Sequence, residues 1–524
     1  MHYLISDIDS NRSFSLERST QYVDIGEALA AIEAKQVEDV LLCDAKLMDQ
    51  SIPELPADLE MFDLLHSGLS LGARQTLSSL WLTSTNWFFL DPPAHKQCTS
   101  WKATPAFCWL RPPAVRDLGG FDRAYQSPVM QLMDLAYRIL MAGGRVCHQP
   151  LPFVLPDLSD LAPKIPLVDE LLFVYRHVGC SAALYVAFWK SILTHRPLYV
   201  LRSLQEARRK FLSVSAPIPS SQLEINWHTL NTDEYQYVDS VSAIIPTINR
   251  YSYLPQAIDS LLKLDPQPQE IIVVDQTPAV ERQMEIYSSY QNNPKIRVFY
   301  LDEAGQSIAR NVAIKVARCR WCLLFEDDTV AWDNLLAEHI RVLEHSGAVA
   351  STGVSLAPWK KVEHIPPGIR MYRVADVLAT GNCLARKDAL LAVGGLDQAF
   401  DHGSGADNDL GLRLYMAGYE TITNPKAIET HYKAAKGGMR TYGAWWRNHA
   451  TIWGAYPQAT QVYTIRRYYP KQFWLPLYLL YYIKAWKQMS LLQYVWLWIS
   501  LPWKLGRSIH AARKLLPTFI QNDK

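Results

Sequence analysis

The sequence predicts an α/β protein, and three observations indicate this class. In the second half, short apolar runs of strand length alternate with stretches of helical length, which is typical of parallel strands joined by right-handed crossovers. One of these runs ends abruptly in three consecutive acids, Glu326-Asp327-Asp328. An internal repeat relates the two halves. With 524 residues, 49% hydrophobic and 20% charged, the chain is long enough for two or three packed domains.

The predicted elements of the second half follow a regular order. Buried strands are expected at residues 241–246, 270–275, 295–300 and 321–325, with helices at 253–264 and 307–317. Polar side chains at or just after the strand ends are Thr247, Asn249, Arg250, Asp275, Glu326 and Asp328. The carboxyl ends of parallel strands meet at one edge of a sheet, where open α/β sheets bind ligands. We therefore expect a nucleotide site at this edge.

The acidic triplet has two interpretations. Carboxylates fixed at a sheet edge can hold a hard divalent cation, and that cation can hold a diphosphate. Alternatively, the acids precede a helix over residues 330–345, and Asp328 or Thr329 is its N-cap. The triplet by itself is compatible with both.

A repeat relates the region around Gly119 to the region around Gly394. Gly394-Gly395-Leu396-Asp397 resembles Gly119-Gly120-Phe121-Asp122. The same shift, without a gap, aligns Cys108 with Cys383, Arg111 with Arg386, Asp134 with Asp409, Arg138 with Arg413, Gly143 with Gly418 and Pro150 with Pro425. After an insertion in the first copy, residues 185–189 also resemble residues 442–446. The sequence therefore predicts two related domains.

The copies agree in framework residues and differ in chemical ones. Asp409 and Arg413 have counterparts in the first copy, and their four-residue spacing on a helix indicates a structural ion pair. Asp407, in contrast, has Leu132 as its counterpart. The acid at this turn is therefore not needed by the turn itself, although it could also cap the following helix.

The acidic triplet is also incomplete in the first copy. If Asp44 is placed opposite Glu326, Lys46 stands opposite Asp328, where an ammonium would repel a cation. The first copy has about forty residues before this point, too few for two βα units. We predict that it is a non-catalytic domain.

Composition suggests the domain boundaries. Pro217 and Pro219 indicate a linker after a basic helical stretch. We expect a degenerate, non-catalytic domain at residues 1–212, a linker at 213–238, a catalytic domain at 239–457 and amphipathic, aromatic helices at 458–524.

Charge and cysteine content exclude several classes of protein. Lys plus Arg number 52 against 51 Asp plus Glu, so no global charge favours nucleic acid as a partner. The eight cysteines have no paired spacing, which argues against zinc and disulfides and favours reduced thiols in the cytoplasm. The N-terminal residues lack the apolar segment of a signal peptide.

The C-terminal region is apolar and aromatic but interrupted by charge. No segment reaches the roughly 18–20 consecutive apolar residues of a spanning helix. Residues 473–483 and 491–503 are rich in Trp and Tyr, and Lys484, Lys487, Arg507, Arg513 and Lys514 lie among or after them. Such helices suit the headgroup region of a bilayer. Core-packing helices that close the last domain are the alternative.

Residues 239–457 resemble the family 2 glycosyltransferases, and the motifs occur in the order of that family. The resemblance rests on the Ile245-Pro246-Thr247 strand, the strand ending in Asp275, Gly305-x-x-x-Ala309-Arg310-Asn311, the acidic triplet, Gly394-Gly395-x-Asp397 and Asp407-x-Asp409-Leu410-x-x-Arg413. It implies the GT-A fold, a Rossmann-like nucleotide-diphospho-sugar transferase fold. The first half resembles a truncated, degenerate relative from about residue 37 to 200.

The resemblance also implies residue roles. Thr247, Asn249, Arg250, Asp275, Arg310, Glu326 and Asp327 would bind the nucleotide sugar, Asp328 and His431 would ligate Mg²⁺ or Mn²⁺, and Asp407 would be the general base. Each has a structural alternative: a strand end for Asp275, a surface position for Arg310, a packed ring for His431 and a helix cap for Asp407. Trp445 and Trp446 are candidates for an acceptor platform or for a packed helix.

Two positions depart from the family pattern. Glu326 stands where Asp is commoner, so we expect its carboxylate to be displaced and to lie off the metal. Ala406 stands where the family usually has a further acid.

The resemblance implies a metal-dependent, inverting transfer of a sugar from a UDP- or dTDP-sugar to a glycan or lipid-linked acceptor in cell-surface polysaccharide synthesis. We expect a cytoplasmic chain, either free or at the inner face of the plasma membrane. A nucleotidyltransferase on the same fold and a non-catalytic scaffold of a polysaccharide assembly are the alternatives.

Overall fold

The structure is a computed structural model that describes residues 3–7, 20–22, 25–34, 40–44, 62–73, 77–84, 86–151, 164–213, 239–401, 403–434, 438 and 454–515. The chain divides into two compact units. The first comprises Met1–His228 with Tyr415–Gly418, and the second comprises Thr229–Leu414 with Tyr419–Lys524. The division falls inside the predicted linker at 213–238. Ser213 ends a helix, and the rest of that linker lies outside the described residues.

The described part of the first unit contains a seven-stranded sheet in the order β2-β1-β3-β6-β4-β7-β5. Its strands are β1 (Tyr3–Asp7), β2 (Thr20–Tyr22), β3 (Val40–Asp44), β4 (Leu64–His66), β5 (Cys98–Thr99), β6 (Phe107–Leu110) and β7 (Val146–His148). Only β4 and β7 pair in parallel among these residues.

The helices of the first unit cover this sheet and extend beyond it. They are α1 (Ile25–Ala34), α2 (Pro112–Asp117), α3 (Pro128–Met141), α4 (Leu167–His177), α5 (Cys180–Thr194) and α6 (Pro197–Ser213). Aromatic side chains form much of the buried contact: Trp101 stacks on Phe173 with ring centroids 5.2 Å apart, and Tyr137 meets both rings edge-on. Such pairs add specific geometry to the area they bury.

The second unit is built on a nine-stranded sheet within the described residues. Its strands are β8 (Val241–Thr247), β9 (Glu270–Asp275), β10 (Ile296–Tyr300), β11 (Trp321–Phe325), β12 (Thr329–Ala331), β13 (Ala350–Leu356), β14 (Arg373–Val374), β15 (Asn382–Arg386) and β16 (Thr421–His431). Strands β10-β9-β8-β11 are parallel, and every residue of β9 and β11 is buried. Burial on both faces explains their continuous apolar runs.

The other half of this sheet is mixed. β11 pairs antiparallel with β15, and β13, β16 and β12 follow in that order. The prediction of a parallel sheet is therefore confirmed for four strands only. The interpretation of the triplet as a helix cap is wrong, because Thr329 begins β12 and the next helix begins at Leu335. β12 pairs Thr329 with His431, which brings the end of β16 to the acids.

The helices of the second unit are α7 (Leu254–Leu262), α8 (Met284–Ser288), α9 (Gln306–Val316), α10 (Leu335–Ser346), α11 (Lys387–Ala392), α12 (Ala406–Met416), α13 (Ala459–Tyr468), α14 (Trp474–Lys484), α15 (Leu491–Ile499) and α16 (Leu501–Leu515). Among the last four, Tyr482, Ala485 and Leu497 form a small buried cluster. No helix in the described ranges has both the length and the apolar character to cross a membrane.

The two units repeat one frame at matching residues. Leu42 of β3 pairs with Cys108 of β6, as Leu324 of β11 pairs with Cys383 of β15. β4 pairs antiparallel with β6 and parallel with β7, as β13 does with β15 and β16. Since the sequence repeat aligns the two cysteines, the register puts Asp44 in the position of Glu326.

Hydrogen bonds repeat as well. In each unit an arginine on a helix pairs with the aspartate four residues before it and also binds two carbonyls of the Gly-Gly turn. The partners of Arg138 are Asp134, Leu118 and Gly120, and those of Arg413 are Asp409, Val393 and Gly395. The expected structural ion pair is thus confirmed in both copies.

The helix that follows this frame is repeated too. Arg176 of α4 pairs with Asp122, as Arg467 of α13 pairs with Asp397. The next residues, His177 and Tyr468, contact Asp134 and Asp409. Helix α4 therefore corresponds to α13. The similarity of residues 185–189 to 442–446 is a wrong alignment, because 185–189 follow α4 whereas 442–446, which lie outside the described residues, precede α13.

The units differ at the strands before the frame. β8 runs parallel to β11, whereas β1 runs antiparallel to β3. The first unit therefore does not reproduce the parallel edge that carries Thr247 and Asp275 in the second.

A pair of glycine substitutions tests the repeated turn. Gly394 and Gly395 both have positive φ, 82° and 70°. A Cβ on Gly395 would lie 2.4 Å from Asn311 Oδ1, whereas one on Gly394 would meet nothing within 4 Å. We expect Gly394→Ala to cost about 1–2 kcal/mol of backbone strain, and Gly395→Ala to lower the thermal unfolding midpoint distinctly more. Equal midpoints for the two variants would contradict the packing of Asn311 against this turn.

Candidate functional site

The acidic triplet lies at the carboxyl end of β11, and three basic side chains lie within 3.5 Å of its carboxylates. Glu326 lies 3.5 Å from Arg310, Asp327 lies 2.8 Å from Arg250, and Asp328 lies 3.4 Å from His431. These cations come from three different elements. The side chains that the sequence separates by more than a hundred residues thus meet at one edge of the sheet, as predicted.

Asp327 is buried and held by two donors. The Thr247 hydroxyl donates to its Oδ2 at 2.7 Å, and Arg250 Nη1 donates to its Oδ1 at 2.8 Å. Burial raises the pKa of Asp327 to about 6, with Asp328 adding to the rise and Arg250 opposing it. Asp327 therefore fixes Thr247 and Arg250 at the strand end and presents no free oxygen to solvent.

Asp328, His431 and Glu326 form a cluster in which one oxygen or nitrogen of each lies within 4.8 Å of the others. Asp328 Oδ2 accepts from the Ala434 amide at 2.7 Å. Among the described residues its buried Oδ1 accepts no well-directed hydrogen bond, although Arg250 lies 3.1 Å and His431 3.4 Å away. A buried carboxylate oxygen without such a bond is costly unless a cation binds it.

The charges within this cluster are mutually stabilised. Burial alone would raise the pKa of Asp328, but His431 and Arg250 hold it below its usual value. Burial alone would lower the pKa of His431, but Asp328 and Glu326 raise it. An imidazole and two carboxylates at this separation are ligand types that Mn²⁺ and Mg²⁺ accept.

Glu326 lies inside the cluster, although we had expected its longer side chain to keep it off the metal. Gly381 explains how it fits, because a Cβ there would lie 3.0 Å from the Glu326 carboxyl carbon. The absence of a side chain at Gly381 leaves room for the extra methylene of Glu326.

Arg310 connects the triplet to Asp407. Its side chain is 2% exposed, and its Nη2 lies 3.4 Å from the carbonyl oxygen of Thr380 and 3.5 Å from Glu326. The surface position considered for Arg310 is therefore wrong. The Thr380 hydroxyl donates to Asp407 Oδ1. One residue, Thr380, thus binds both Arg310 and Asp407.

Asp407 lies in the first turn of α12, after Gly405 with φ 108°. Asp407 is exposed to solvent, but neighbouring protein atoms exclude water from its carboxyl group. This desolvation raises its pKa. Thr380 and Arg310 oppose that rise. A partly exposed carboxylate with a raised pKa is suited to accept a proton from a hydroxyl.

Asp275 lies at the sheet edge, but its carboxylate already accepts hydrogen bonds from other residues of the chain. Its carboxylate accepts from the hydroxyls of Tyr251 at 2.7 Å and Tyr287 at 2.8 Å, and from the Thr277 amide at 2.9 Å. The residue is 0% exposed. Direct contact with a nucleobase would require one tyrosine to move away. In this arrangement Asp275 orients the two tyrosines.

Asn249 adopts a left-handed conformation with φ 51°, which asparagine tolerates. Its backbone amide donates to the Thr277 hydroxyl, and its side-chain amide donates to the Glu281 carboxylate. Gly438 is also drawn to this edge, since its amide donates to the Ile248 carbonyl and a Cβ on it would lie 2.7 Å from Arg250. Trp445 and Trp446, the candidate acceptor platform, lie outside the described residues.

Sequence reasoning missed Thr380, Tyr251 and Tyr287. Thr380 lies two residues before the first residue of the antiparallel strand β15, Asn382, which pairs with Phe325. That pairing puts the residues before β15 beside the triplet. The position of Thr380 could be inferred only from the knowledge that an antiparallel strand pairs with β11.

Comparison with known families gives one match. Residues 242–388 match the sequence model of the family described as Glycosyl transferase family 2. This stretch contains β8 to β15 and all three acids of the triplet, whereas Asp407 and His431 lie beyond it.

Among the curated proteins that match, two are each similar to part of this chain. A protein of Bacillus subtilis (strain 168) named as teichuronic acid biosynthesis glycosyltransferase TuaG is 31% identical over 137 residues, which is 25% of this chain and 54% of that protein. An uncharacterized glycosyltransferase of Rickettsia bellii is 26% identical over 111 residues, 21% of this chain and 16% of its own length. The chain thus spans about half, or less, of these relatives.

Solved structures with a detectable likeness are more distant. The mannosyltransferase PcManGT from Pyrobaculum calidifontis, in complex with GDP-Man and Mn²⁺, covers 55% of this chain and 88% of its own, with 17% identity and a TM-score of 0.34. S. aureus TarS 1-349 in complex with UDP-GlcNAc covers 54% and 73%, with 16% identity and a TM-score of 0.33.

Removing one hydroxyl tests the role of Asp275. We expect Tyr287→Phe to destabilise the second unit by about 1.5–3 kcal/mol, because a buried carboxylate loses a charge-assisted hydrogen bond. Tyr290→Phe is the matched control, since its hydroxyl donates to Asp259 in a more exposed setting. Urea unfolding measures both. A loss no larger for Tyr287→Phe than for Tyr290→Phe would show that Asp275 does not depend on this donor.

Proposed function

Since residues 242–388 match the model of the family 2 glycosyltransferases, we propose that the chain is a metal-dependent, inverting glycosyltransferase of that family. It moves a sugar from a nucleotide-diphosphate sugar to a hydroxyl of a glycan or lipid-linked acceptor. The observation that carries this proposal is the link from the Glu326-Asp328-His431 cluster through Arg310 and Thr380 to Asp407. It joins a candidate leaving-group site to a candidate base.

The residues of the cluster fit a divalent cation. The buried Asp328 Oδ1 accepts no well-directed hydrogen bond from the part of the chain that the structure describes, and the Glu326 carboxylate and the His431 imidazole lie close to it. Asp328, His431 and Glu326 would therefore hold Mg²⁺ or Mn²⁺. When bound, such an ion supplies positive charge for the diphosphate leaving group.

The donor would bind along the strand ends. Thr247, Asn249 and Arg250 are positioned there by Asp327 and Thr277. Arg250 and Arg310 each have a buried Nε without a hydrogen-bond partner in the part of the chain that the structure describes. Both arginines add positive charge on the side where a diphosphate would lie. The nucleobase would be a uracil or thymine next to the Asp275-Tyr251-Tyr287 group.

Asp407 would act on the acceptor. As a carboxylate it takes the proton of the acceptor hydroxyl while the oxygen attacks the anomeric carbon. The bond from that carbon to the diphosphate breaks in the same displacement, and the electron pair leaves with the diphosphate. A single displacement inverts the anomeric configuration. Thr380 holds Asp407 in place by donating its hydroxyl hydrogen.

The biological setting follows from the relatives. The B. subtilis protein is named for teichuronic acid biosynthesis, which supports a role in cell-surface polysaccharide synthesis. A lipid-linked acceptor would place the reaction at the inner face of the plasma membrane. The aromatic and basic C-terminal helices α14, α15 and α16 support contact with that surface.

We also propose that the first unit is a non-catalytic relative of the second. The matching strand registers and the repeated Asp–Arg pairs support common descent. Leu132, in the position of Asp407, and the antiparallel β1 support the loss of chemistry.

Metal binding is tested without activity. We expect Mn²⁺ to raise the thermal unfolding midpoint of the wild type, because an ion that binds only the folded state stabilises it. Asp328→Asn should abolish this shift. Asp388→Asn is the control, since that carboxylate is exposed on α11 away from the cluster. Persistence of the Mn²⁺ shift in Asp328→Asn would remove Asp328 from the site.

The base is tested by separating binding from transfer. We expect Asp407→Asn to retain the thermal shift produced by a UDP- or dTDP-sugar and to lose transfer by about a hundredfold or more. Product analysis should give a nucleoside diphosphate from the wild type. Release of pyrophosphate by the wild type would indicate a nucleotidyltransferase instead. Near wild-type turnover of Asp407→Asn would exclude Asp407 as the base.

A further inference from the structure

The helical hairpin of the first unit exposes apolar side chains. On α5, Leu184, Phe188 and Ile192 follow one another at four-residue spacing and are 57%, 58% and 44% exposed. Residues three and four apart lie on one face of a helix, so they form an outward stripe. An apolar stripe with this helical spacing usually faces the protein core. Here the opposite face of α5, with Ala183, Val186 and Ala187, is the buried one.

Helix α6, which follows α5, also exposes apolar side chains. Leu198, Tyr199 and Leu201 are 71%, 51% and 50% exposed. Basic residues surround this apolar surface: Arg196, Arg202, Arg208 and Arg209, all exposed. Glu206 is the only acid between Cys180 and Ser213, and Gln126 donates to its carboxylate. We call this surface the hairpin face.

An equivalent surface occurs in the second unit. Helix α4, which precedes the hairpin face, corresponds to α13, which precedes α14, α15 and α16. There the exposed apolar residues include Leu492, Trp496 and Ile499 of α15, at 83%, 41% and 66%. Residues 454–515 contain several Lys and Arg but no Asp or Glu. The same combination thus follows the repeated frame in both units.

We propose that the hairpin face of the first unit binds a bilayer that contains anionic lipids. Apolar and aromatic side chains flanked by arginines suit the boundary between headgroups and acyl chains, and positive charge attracts anionic headgroups. A second copy of the chain fits less well, because an isologous contact would bring two basic surfaces together. This surface is additional to the C-terminal helices, and its binding does not require sugar transfer.

Vesicle cosedimentation of the full chain tests the proposal. The probes are vesicles of phosphatidylcholine and vesicles of phosphatidylcholine with phosphatidylglycerol, without any nucleotide sugar. We expect the wild type to bind the anionic vesicles more strongly. Leu184→Ser/Phe188→Ser should weaken that binding about tenfold, because two apolar anchors are lost. Arg208→Glu/Arg209→Glu should reduce the preference for anionic vesicles.

Matched variants keep the test decisive. Leu391→Ser removes a 44% exposed leucine from α11 in the other unit and should bind vesicles like the wild type. Leu492→Ser/Trp496→Ser isolates the C-terminal helices. An unchanged thermal midpoint in Leu184→Ser/Phe188→Ser establishes that it folds. Binding of that variant at the wild-type level, or wild-type binding only through Leu492 and Trp496, would overturn the proposal. A smaller oligomer of Leu184→Ser/Phe188→Ser, with vesicle binding unchanged, would also overturn the proposal.

Discussion

Three consecutive carboxylates at the end of one buried strand can be maintained only if positive charge lies between them. The second unit provides three cations, two of them shared: Arg310 contacts Glu326, Arg250 contacts Asp327 and Asp328, and His431 contacts Asp328 and Glu326. Removal of one partner from a buried pair leaves an uncompensated charge, which is more costly than the pair is stabilising. The acids therefore depend on all three cations.

This requirement also explains the arrangement of the chain around the site. The cations come from the turn after β8, from α9 and from the end of β16. The turn after β8, α9 and the antiparallel half of the sheet must all be in place before the acids are balanced. Thr380 and Gly381 occupy the remaining positions beside Glu326, one as a hydrogen-bond partner and the other because it has no side chain.

The sequence was sufficient for the parallel strands and for most residues at their ends. Strands β9 and β11, which are buried on both faces, are continuous apolar runs, and an acid ends the first and directly follows the second, so their positions are readable. The antiparallel half was not readable, because β13 and β16 contain many Ser and Thr and pair with strands distant in sequence. The position of Thr380 depends on that pairing, and the contacts of the two tyrosines with Asp275 depend on side-chain direction, which no spacing rule contains.

The repeat predicted the framework better than its own details. The shared Gly-Gly turn, Asp and Arg were aligned correctly because they make the same hydrogen bonds in both units. The aromatic similarity of residues 185–189 to 442–446 had no such basis, since aromatic residues recur in many packed helices. Residues tied by specific hydrogen bonds are therefore the better markers of an internal repeat.

The direction of β1 has a consequence for engineering. Introducing acids at Ala45 and Lys46, after Asp44, would restore the composition of the triplet in the first unit, but not the parallel neighbour that carries Thr247 in the second. A strand that runs the other way delivers its opposite terminus to that edge. Conversion of this half into a second enzyme would need a changed chain path, and substitutions of side chains would not achieve it.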